Sequence, residues 1–182
     1  QSESPIVSSL DAEVLLSLRH QGAHQGGLWE FPGGKLEGTE SALEALAREL
    51  DEELGITLIR ARPLIQIRHD YHDKSIFLDV WLVEEFSGQA EGREGQEIEW
   101  VAIDDLPQRD FPAANQAIVN AVRLPVQYFI TPDPGAHGDV FLETIESALG
   151  AGIRLIQLRA TNSGQPAYLK LAEQALGLCH RY

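Results

Sequence analysis

The stretch that decides the fold is residues 34–56, GKLEGTESALEALARELDEELGI. Ser41 and Glu44 have the spacing of a capping box, in which two residues satisfy free N–H groups at the start of a helix. Gly55 is placed to end the helix in a left-handed conformation. The pattern predicts a helix over residues 41–54, and its leucines recur every three or four residues to form one apolar stripe, at positions 43, 46, 50 and 54.

The same helix carries an unusual group of acids. Glu49, Glu52 and Glu53 stand at positions i, i+3 and i+4, so their side chains lie on one face within about one turn. Like charges at this spacing repel, and Arg48 is the only nearby cation. Two interpretations stay open at this point. The acids form a solvated surface of an acidic protein, or they form a site for hard divalent cations, which prefer carboxylate oxygens.

The glycines before the helix favour the second interpretation. Gly33 and Gly34 close a glycine-dense loop over residues 21–34, QGAHQGGLWEFPGG. Such a loop can bring a backbone carbonyl close to the acids, and it lets a phosphate approach without a Cβ in the way. The loop and the helix together therefore predict a metal and phosphate site.

Composition limits the class of protein. The 182 residues carry 14 Lys+Arg against 28 Asp+Glu, a net charge of −14, which argues against binding to a nucleic-acid duplex. A small polyphosphate delivered with its own metal ions remains compatible with that charge. No apolar run approaches the roughly 18 residues that a membrane helix needs, and the first ten residues hold no secretory signal. A single cysteine, Cys179, fits a reducing compartment, and we expect a cytoplasmic protein without a membrane partner.

The rest of the first part alternates between apolar runs and polar loops. Asp11 and Ala12 are expected to form a turn between the first two strands, which would pair with each other. The order of elements predicts an α+β fold in which a mixed sheet is covered on both faces. The predicted strands are residues 6–10, 13–19, 64–67, 76–83 and 100–103, and a short helix is predicted over residues 113–122.

Gly34, Glu40 and residues 48–56, RELDEELGI, match every fixed position of the Nudix box, so the chain resembles the Nudix hydrolases. The resemblance implies an α/β/α sandwich that hydrolyses a nucleoside diphosphate linked to another moiety. It implies Mg²⁺ as the cofactor, with Mn²⁺ able to substitute. Arg48 would pair with Glu40 to hold the loop on the helix, and it is counted among the catalytic residues. The implied metal ligands are the Gly33 carbonyl, Glu49, Glu52 and Glu53.

Residues 27–34, GLWEFPGG, resemble the MutT-type mutator hydrolases, which clear oxidised guanine nucleotides. The resemblance implies that Arg19 contacts the substrate phosphate, that His24 assists it, and that Phe31 packs against the purine. Residues 92–96, GREGQ, resemble the loop that supplies one more carboxylate, here Glu94. Residues 111–115, FPAAN, resemble the segment whose asparagine, here Asn115, reads the base with an amide that both donates and accepts.

Each of these residues also has a structural interpretation. Phe31 could be a core residue, Asn115 a helix cap, Arg19 a surface cation and Glu94 a solvated loop residue. Their common order around a complete box favours function for all four. The implied reaction converts 8-oxo-dGTP to 8-oxo-dGMP and pyrophosphate by attack at the β-phosphorus, which would sanitise the nucleotide pool and prevent mutation. Glu53 and Glu94 are both candidates for the general base.

Three other functions stay open. The first is a Nudix hydrolase of ADP-ribose or a dinucleotide, and the second is a binding module that keeps the fold without turnover. The third is a bifunctional enzyme, because the chain changes character near residue 124. We therefore expect a Nudix domain over residues 1–123 and a separate segment over residues 124–182.

The second segment is predicted to alternate strands and helices, which favours parallel pairing. Residues 128–132, YFITP, and 155–159, LIQLR, resemble the opening of thiamine phosphate synthases, which are (β/α)₈ barrels. Two β/α units cannot close such a barrel, and Thr161 stands where the synthases usually have a lysine, so no synthase activity is expected. The predicted strands are residues 126–130 and 153–158, and the predicted helices are residues 140–149 and 167–179.

Overall fold

The computed structural model describes residues 5–7, 13–22, 25–72, 74–134 and 138–182. The chain divides into two compact units, Gln1–Arg123 and Leu124–Tyr182. His24, one of the residues expected at the site, lies outside the described residues. Among the helices of the described part, none is long and apolar enough to cross a membrane.

In its described residues, the first unit contains two three-stranded sheets and two α-helices. One sheet is mixed, with strand order β1-β5-β4, and the other is antiparallel, with order β3-β2-β6. The α+β class is therefore confirmed. The elements are β1 (Pro5–Val7), β2 (Glu13–Leu18), β3 (Trp29–Glu30), α1 (Ala42–Leu54), β4 (Thr57–Asp70), β5 (Ser75–Ser87), β6 (Ile98–Ala102), 3₁₀ helices at Ile103–Gln108 and Ala113–Asn115, and α2 (Gln116–Val122).

Strand β2 lies in the middle of the core, and its alternating side chains belong to two different apolar clusters. Leu15 packs in the cluster that contains the buried leucines of α1. Val14 and Leu16 pack in the cluster that contains Ile118 of α2 and Phe31. Because successive side chains of a strand point to opposite faces, β2 separates two helix-covered layers, as in a sandwich of helix, sheet and helix.

Helix α1 begins and ends where the capping residues predict. Ser41 is the N-cap and forms the full capping box with Glu44, while Gly55 ends the helix with φ +70° and donates its N–H to the carbonyl of Asp51. The prediction for Leu43 was wrong, since this side chain is 42 % exposed. Leu43 lies in the first turn, ahead of the apolar cluster that α1 joins, and the buried stripe consists of Ala45, Leu46, Leu50 and Leu54.

The strands differ from the predictions in pairing and length. Strand β1 pairs in parallel with β5 instead of pairing with β2, so the expected hairpin between the first two strands was wrong. The expected turn at residues 11–12 lies outside the described residues. Strands β4 and β5 form one long antiparallel pair, and β4 passes through Pro63 at a register shift. Proline has no N–H to donate to a neighbouring strand, and it is tolerated at such an irregularity. The predicted strand over residues 64–67 was therefore too short, because it did not extend through Pro63.

The second unit contains a two-stranded sheet and two helices. Strands β7 (Phe129–Ile130) and β8 (Ile156–Gln157) pair in parallel, which confirms the pairing expected from the alternating pattern, although both strands are shorter than predicted. Helices α3 (Gly138–Gly150) and α4 (Gln165–Cys179) pack through Ile145 and Leu178 in a third apolar cluster. The likeness to the opening of a barrel stays a prediction.

Candidate active site

Arg48 ties the loop before α1 to the helix itself. Its Nη2 and Nε donate to the two carboxylate oxygens of Glu40 at 2.8 and 3.2 Å, and Nη2 also donates to the carbonyl of Lys35 at 2.9 Å. A two-pronged pair of this kind fixes geometry as well as charge. The pKa of the Glu40 carboxyl is lowered, chiefly by its hydrogen bond to Arg48. The expected pairing of these two residues is thus present in the structure.

Arg48 also contacts two of the three acids on the exposed face of α1. Its Nη1 donates to Glu49 at 2.9 Å and to Glu52 at 3.1 Å. The pKa of the Arg48 guanidinium is raised, first by its bond to Glu40 and then by Glu49. One guanidinium therefore offsets much of the like-charge repulsion that the sequence places on this helix.

Gly34 lets the loop approach the helix more closely than any other residue would allow. A Cβ on Gly34 would lie 1.9 Å from the carboxyl carbon of Glu49, so the end of that side chain would have to move aside. The Glu49 side chain is only 15 % exposed, because the loop covers it. The glycine is thus required by contact with a site residue rather than by a turn.

Glu53 is the most perturbed carboxyl of the site. Burial, together with the neighbouring charges of Glu49, Glu30 and Glu94, raises its pKa to about 8, while a hydrogen bond from the Gly33 N–H opposes the shift. That N–H donates to Oε2 of Glu53 at 3.2 Å. Three other carboxyl groups, one from α1, one from β3 and one from the loop at residues 88–97, thus act on the partly buried Glu53, which gives the site a strongly negative potential.

The loop at residues 88–97 covers the C-terminal end of α1. The backbone N–H groups of Glu91 and Arg93 donate to the carbonyls of Leu54 and Glu53 at 3.0 and 2.9 Å. The Arg93 guanidinium donates to the Asp51 carbonyl at 2.9 Å. These donors satisfy carbonyls that a helix end leaves without partners. The loop is thereby fixed on the helix, and it brings the exposed residue Glu94 towards Glu53.

The donor set fits a hard divalent cation, although the side chains are not gathered into a complete cage. Among the described residues, no three His, Cys, Asp or Glu side chains converge as metal ligands. Two of the expected ligands, Glu49 and Glu52, are paired with Arg48, and Gly33 presents its N–H to Glu53. Carboxylate oxygens beside a buried, negatively charged position are what Mg²⁺ or Mn²⁺ would require. The ligand assignment of Gly33, Glu49, Glu52, Glu53 and Glu94 stays a prediction.

Arg19 lies close to this group of acids. It directly follows β2 and forms an ion pair with Glu30 of the neighbouring strand β3. Glu30 is one of the charges that raise the pKa of Glu53, so the pair lies beside the carboxyl cluster. Arg19 retains about a quarter of its side-chain exposure, which leaves a cation at the edge of the site.

Phe31 and Phe111 form an aromatic pair in the apolar cluster that also contains Ile118 of α2, and this pair is called the wall below. Phe31 is 1 % exposed and stacks on Phe111, with ring centroids 5.4 Å apart and planes within 8°. Packed in this way, Phe31 offers no open ring face to a ligand and instead supports the partly buried Phe111. Direct stacking of Phe31 on a base therefore does not follow from this packing.

Asn115 is a buried polar residue beside the same wall. It is 9 % exposed and ends the short 3₁₀ helix before α2, with its N–H bound to the Pro112 carbonyl at 2.9 Å. Within the part of the chain that the structure describes, no group hydrogen-bonds its side-chain amide, and the amide does not cap α2. The amide atoms are not sealed from solvent, so a ligand that approaches this position can pair with them.

The structure adds residues to the site that were not expected from the sequence. The imidazole Nε2 of His20 lies 3.3 Å from the carbonyl of Glu94, and Gln96 contacts the backbones of both Glu53 and Glu94. Glu30 acts on Glu53 through its charge. The sequence offered a signal only for Gln96, which stands two residues after Glu94 in a loop bounded by glycines. Nothing in the sequence near His20 or Glu30 predicted their contacts with the site.

Comparison with known proteins agrees with this geometry. A family profile described as NUDIX domain matches residues 6–121. The chain is 37 % identical over 114 residues to the 8-oxo-dGTP diphosphatase of Escherichia coli, covering 63 % of this chain and 88 % of that protein. It is 34 % identical to the 8-oxo-dGTP diphosphatase of Haemophilus influenzae, covering 71 % of this chain and 96 % of that protein.

Two further relatives bear on the substrate and the fold. The CTP pyrophosphohydrolase of Escherichia coli is 34 % identical and covers 61 % of this chain and 82 % of its own length. A solved structure from work on MutT of Aliivibrio salmonicida and Vibrio cholerae is 40 % identical, with a TM-score of 0.56, and covers 67 % of this chain and 97 % of that one. Residues 124–182 lie beyond the family match.

Proposed function

The chain belongs to the NUDIX domain family, and we propose that it hydrolyses 8-oxo-dGTP to 8-oxo-dGMP and pyrophosphate with Mg²⁺ as its cofactor. The relatives named 8-oxo-dGTP diphosphatase support this substrate, since the match with this chain covers most of the length of each of them. The observation that carries the proposal is the buried Glu53 carboxyl, which lies among three other acids at the glycine loop. A cytoplasmic location, favoured by the single cysteine, belongs to the same proposal.

The acids on α1 supply the means to hold a divalent cation. Glu49, Glu52 and Glu53 would hold it through carboxylate oxygens, with Glu94 contributing from the loop at residues 88–97. When bound, the cation neutralises the triphosphate and makes the β-phosphorus more electrophilic. Arg48 keeps the glycine loop against the helix through Glu40, so that this group of acids keeps its shape.

A carboxyl must remove a proton from the attacking water. The raised pKa of Glu53 makes it a stronger base than an ordinary glutamate once it has lost its own proton. Glu94 is exposed and can also reach solvent, so both residues remain candidates. The water oxygen bonds to the β-phosphorus, the bond from that phosphorus to the α–β bridging oxygen breaks, and the nucleoside monophosphate leaves with that oxygen.

The base would be read by Asn115. Its unpaired amide offers one donor and one acceptor, which match the neighbouring N–H and keto groups of an oxidised guanine. Phe111, supported by Phe31, forms an apolar wall close by. Arg19 at the end of β2 would contact the phosphates, exchanging part of its pairing with Glu30 for the substrate.

Cytidine triphosphate is a second candidate substrate, because one relative is named a CTP pyrophosphohydrolase. The cytosine ring also presents adjacent donor and acceptor groups, so Asn115 alone does not discriminate between the two bases. Binding without turnover is a weaker alternative, since all four acids of the site are present. Hydrolysis of ADP-ribose or a dinucleotide is weaker because Phe31 and Asn115 match the MutT-type pattern and the relatives reported above are named for nucleoside triphosphates.

One assay separates these possibilities. Hydrolysis of 8-oxo-dGTP, dGTP, CTP and ADP-ribose is measured with Mg²⁺, with Mn²⁺ and with a chelator, by release of pyrophosphate from the three triphosphates and by release of AMP from ADP-ribose. We expect the highest kcat/KM for 8-oxo-dGTP and no turnover with the chelator. A higher kcat/KM for CTP than for 8-oxo-dGTP would make CTP the substrate in place of 8-oxo-dGTP. Turnover that survives chelation would overturn the metal requirement.

A further inference from the structure

The side-chain amide of Gln96 links the two segments that carry Glu53 and Glu94. Its Oε1 accepts a hydrogen bond from the backbone N–H of Glu94 at 2.9 Å. Its Nε2 donates to the backbone carbonyl of Glu53 at 3.1 Å. Because the donor and the acceptor belong to one planar amide, the two backbones are held at a fixed separation.

The surrounding loop is built closely around this residue. A Cβ on Gly92 would lie 2.1 Å from the carbonyl oxygen of Gln96, so the chain closes on itself here without room for a side chain. The next turn is completed by Gly95, whose N–H donates to the Gly92 carbonyl at 3.2 Å with φ +81°. The amide of Gln96 is thus half-buried between the loop and the helix end.

Glu94 depends on this link more than Glu53 does. Glu53 is part of α1, and its carboxylate is held by the Gly33 N–H. Glu94 is exposed, and its backbone N–H is bound to the side chain of Gln96. Loss of that acceptor would leave the Glu94 N–H without its partner, and the His20 contact with the Glu94 carbonyl would then hold this residue less firmly, while the helix stays intact.

We propose that Gln96 is a positioning residue for the hydrolysis, which sets where the Glu94 carboxylate lies relative to Glu53 without touching the substrate. The inference rests on the proposed function, because it assigns Glu94 a part in the reaction. Partners of this kind, one step removed from the reacting groups, typically contribute about 10- to 100-fold in activity or metal affinity.

The first test uses Gln96→Met, which keeps the length of the side chain and removes both hydrogen bonds. In the metal-free protein we expect amide hydrogen exchange at Glu94 to become at least about tenfold faster, read by NMR, because its acceptor is lost. The matched control is Gln108→Met, which removes an exposed bond from Nε2 to Asp105 at 3.1 Å and should leave the exchange of Glu94 unchanged. Unchanged exchange in Gln96→Met would overturn the link.

The second test is a double-mutant cycle on turnover. Gln96→Met should lower kcat by about 10- to 100-fold in the otherwise unchanged protein and by less than about threefold in the Glu94→Gln background. A role in general stability predicts the same loss in both backgrounds, together with a parallel fall in Tm. An equal loss in both backgrounds would therefore overturn the positioning role.

Failure of the two proposals can be told apart. A protein that hydrolyses none of the nucleotides in the panel would remove the proposed function, and the positioning role with it. A protein that hydrolyses 8-oxo-dGTP, and whose Gln96→Met variant does so at the original rate, would remove the positioning role alone.

Discussion

The acid cluster at the end of α1 and the wall around Asn115 differ in how their polar groups are satisfied. In the acid cluster, carboxylates are bound by Arg48 and by the Gly33 N–H, and they act on one another through charge. At the wall, an apolar stack of Phe31 on Phe111 adjoins the Asn115 amide, which no described residue pairs and which solvent can reach. Under the proposed function this difference predicts a division of roles, in which the first region determines the rate and the second determines which base is accepted.

The largest effect that tests this division is expected for Glu53→Gln. It keeps the shape of the side chain but removes the charge, so turnover of every accepted nucleotide should fall by about a thousandfold. Pyrophosphate release from 8-oxo-dGTP and dGTP measures both rates, and circular dichroism checks the fold. Asp51→Asn, on the same turn but 68 % exposed, is the control and should stay within about threefold. Near-normal turnover in Glu53→Gln would remove this residue from the mechanism.

A smaller effect on rate is expected for Gly34→Ala. The added Cβ would meet the Glu49 carboxyl at 1.9 Å and displace this expected metal ligand, so we expect about a hundredfold loss of kcat and weaker Mn²⁺ binding by calorimetry. Gly22→Ala is the matched control, since a Cβ there has nothing within 4 Å. If both variants retain full activity, the close approach of loop and helix is not needed for the reaction.

The wall is tested by Asn115→Ala. Loss of the base-reading amide should cost roughly 1–3 kcal/mol of preference for 8-oxo-dGTP over dGTP, because polar groups of the base lose their partner. Turnover of dGTP should change little. A general loss of catalysis would instead lower the turnover of both nucleotides. Asn120→Ala, an exposed position on α2, serves as the control. An unchanged ratio of the two kcat/KM values would show that the base is read elsewhere.

The smallest predicted effect concerns stability and pH in the metal-free protein. The pKa of Glu53 is about 8 in the folded chain against 4.5 for an ordinary glutamate, so folding favours its protonated form. This contribution to stability is complete below about pH 4.5 and is lost as the pH rises through 8. Urea unfolding with a chelator at pH 6, 7 and 8 should show a decline of at most about 1.4 kcal/mol per pH unit.

Glu53→Gln isolates that decline from other titrations. The variant has no proton to lose at this position, so its free energy of unfolding should fall less steeply with pH than that of the unchanged protein. Equal slopes of unfolding free energy against pH in the two proteins would mean that burial does not raise the pKa of the Glu53 carboxyl.

Local chemistry explains which parts of the fold could be predicted. The caps of α1 and the face shared by its acids depend on residues within four positions of one another, and they were predicted from Ser41, Glu44 and Gly55. The pairing of β1 with β5 joins residues far apart in sequence, and nothing in the residues of β1 specifies that partner. Strand β4 was predicted too short because Pro63 indicates a break, whereas the sheet accommodates it at a register shift.

The candidate site divides in the same way. The acids and Gly34 are recognisable because their spacing is regular, and the pairing of Arg48 with Glu40 follows from the same motif. The contacts of Gln96 depend on how a loop folds back onto a helix more than 40 residues earlier in the chain. The buried packing of Phe31 depends on Phe111, which lies 80 positions away, so its environment could not be inferred from its neighbours.

Strand β2 has a consequence for how such a protein could evolve. Leu15 on one side of the strand supports the helix of the acids, while Val14 and Leu16 on the other side support the wall around Asn115. One six-residue strand thus supports both the helix that carries the acids and the wall proposed to contact the base. Under the proposed function, shortening the Leu15 side chain would change kcat first, and shortening the Leu16 side chain would change the preference among nucleotides first. The two properties could therefore change independently through substitutions at adjacent positions.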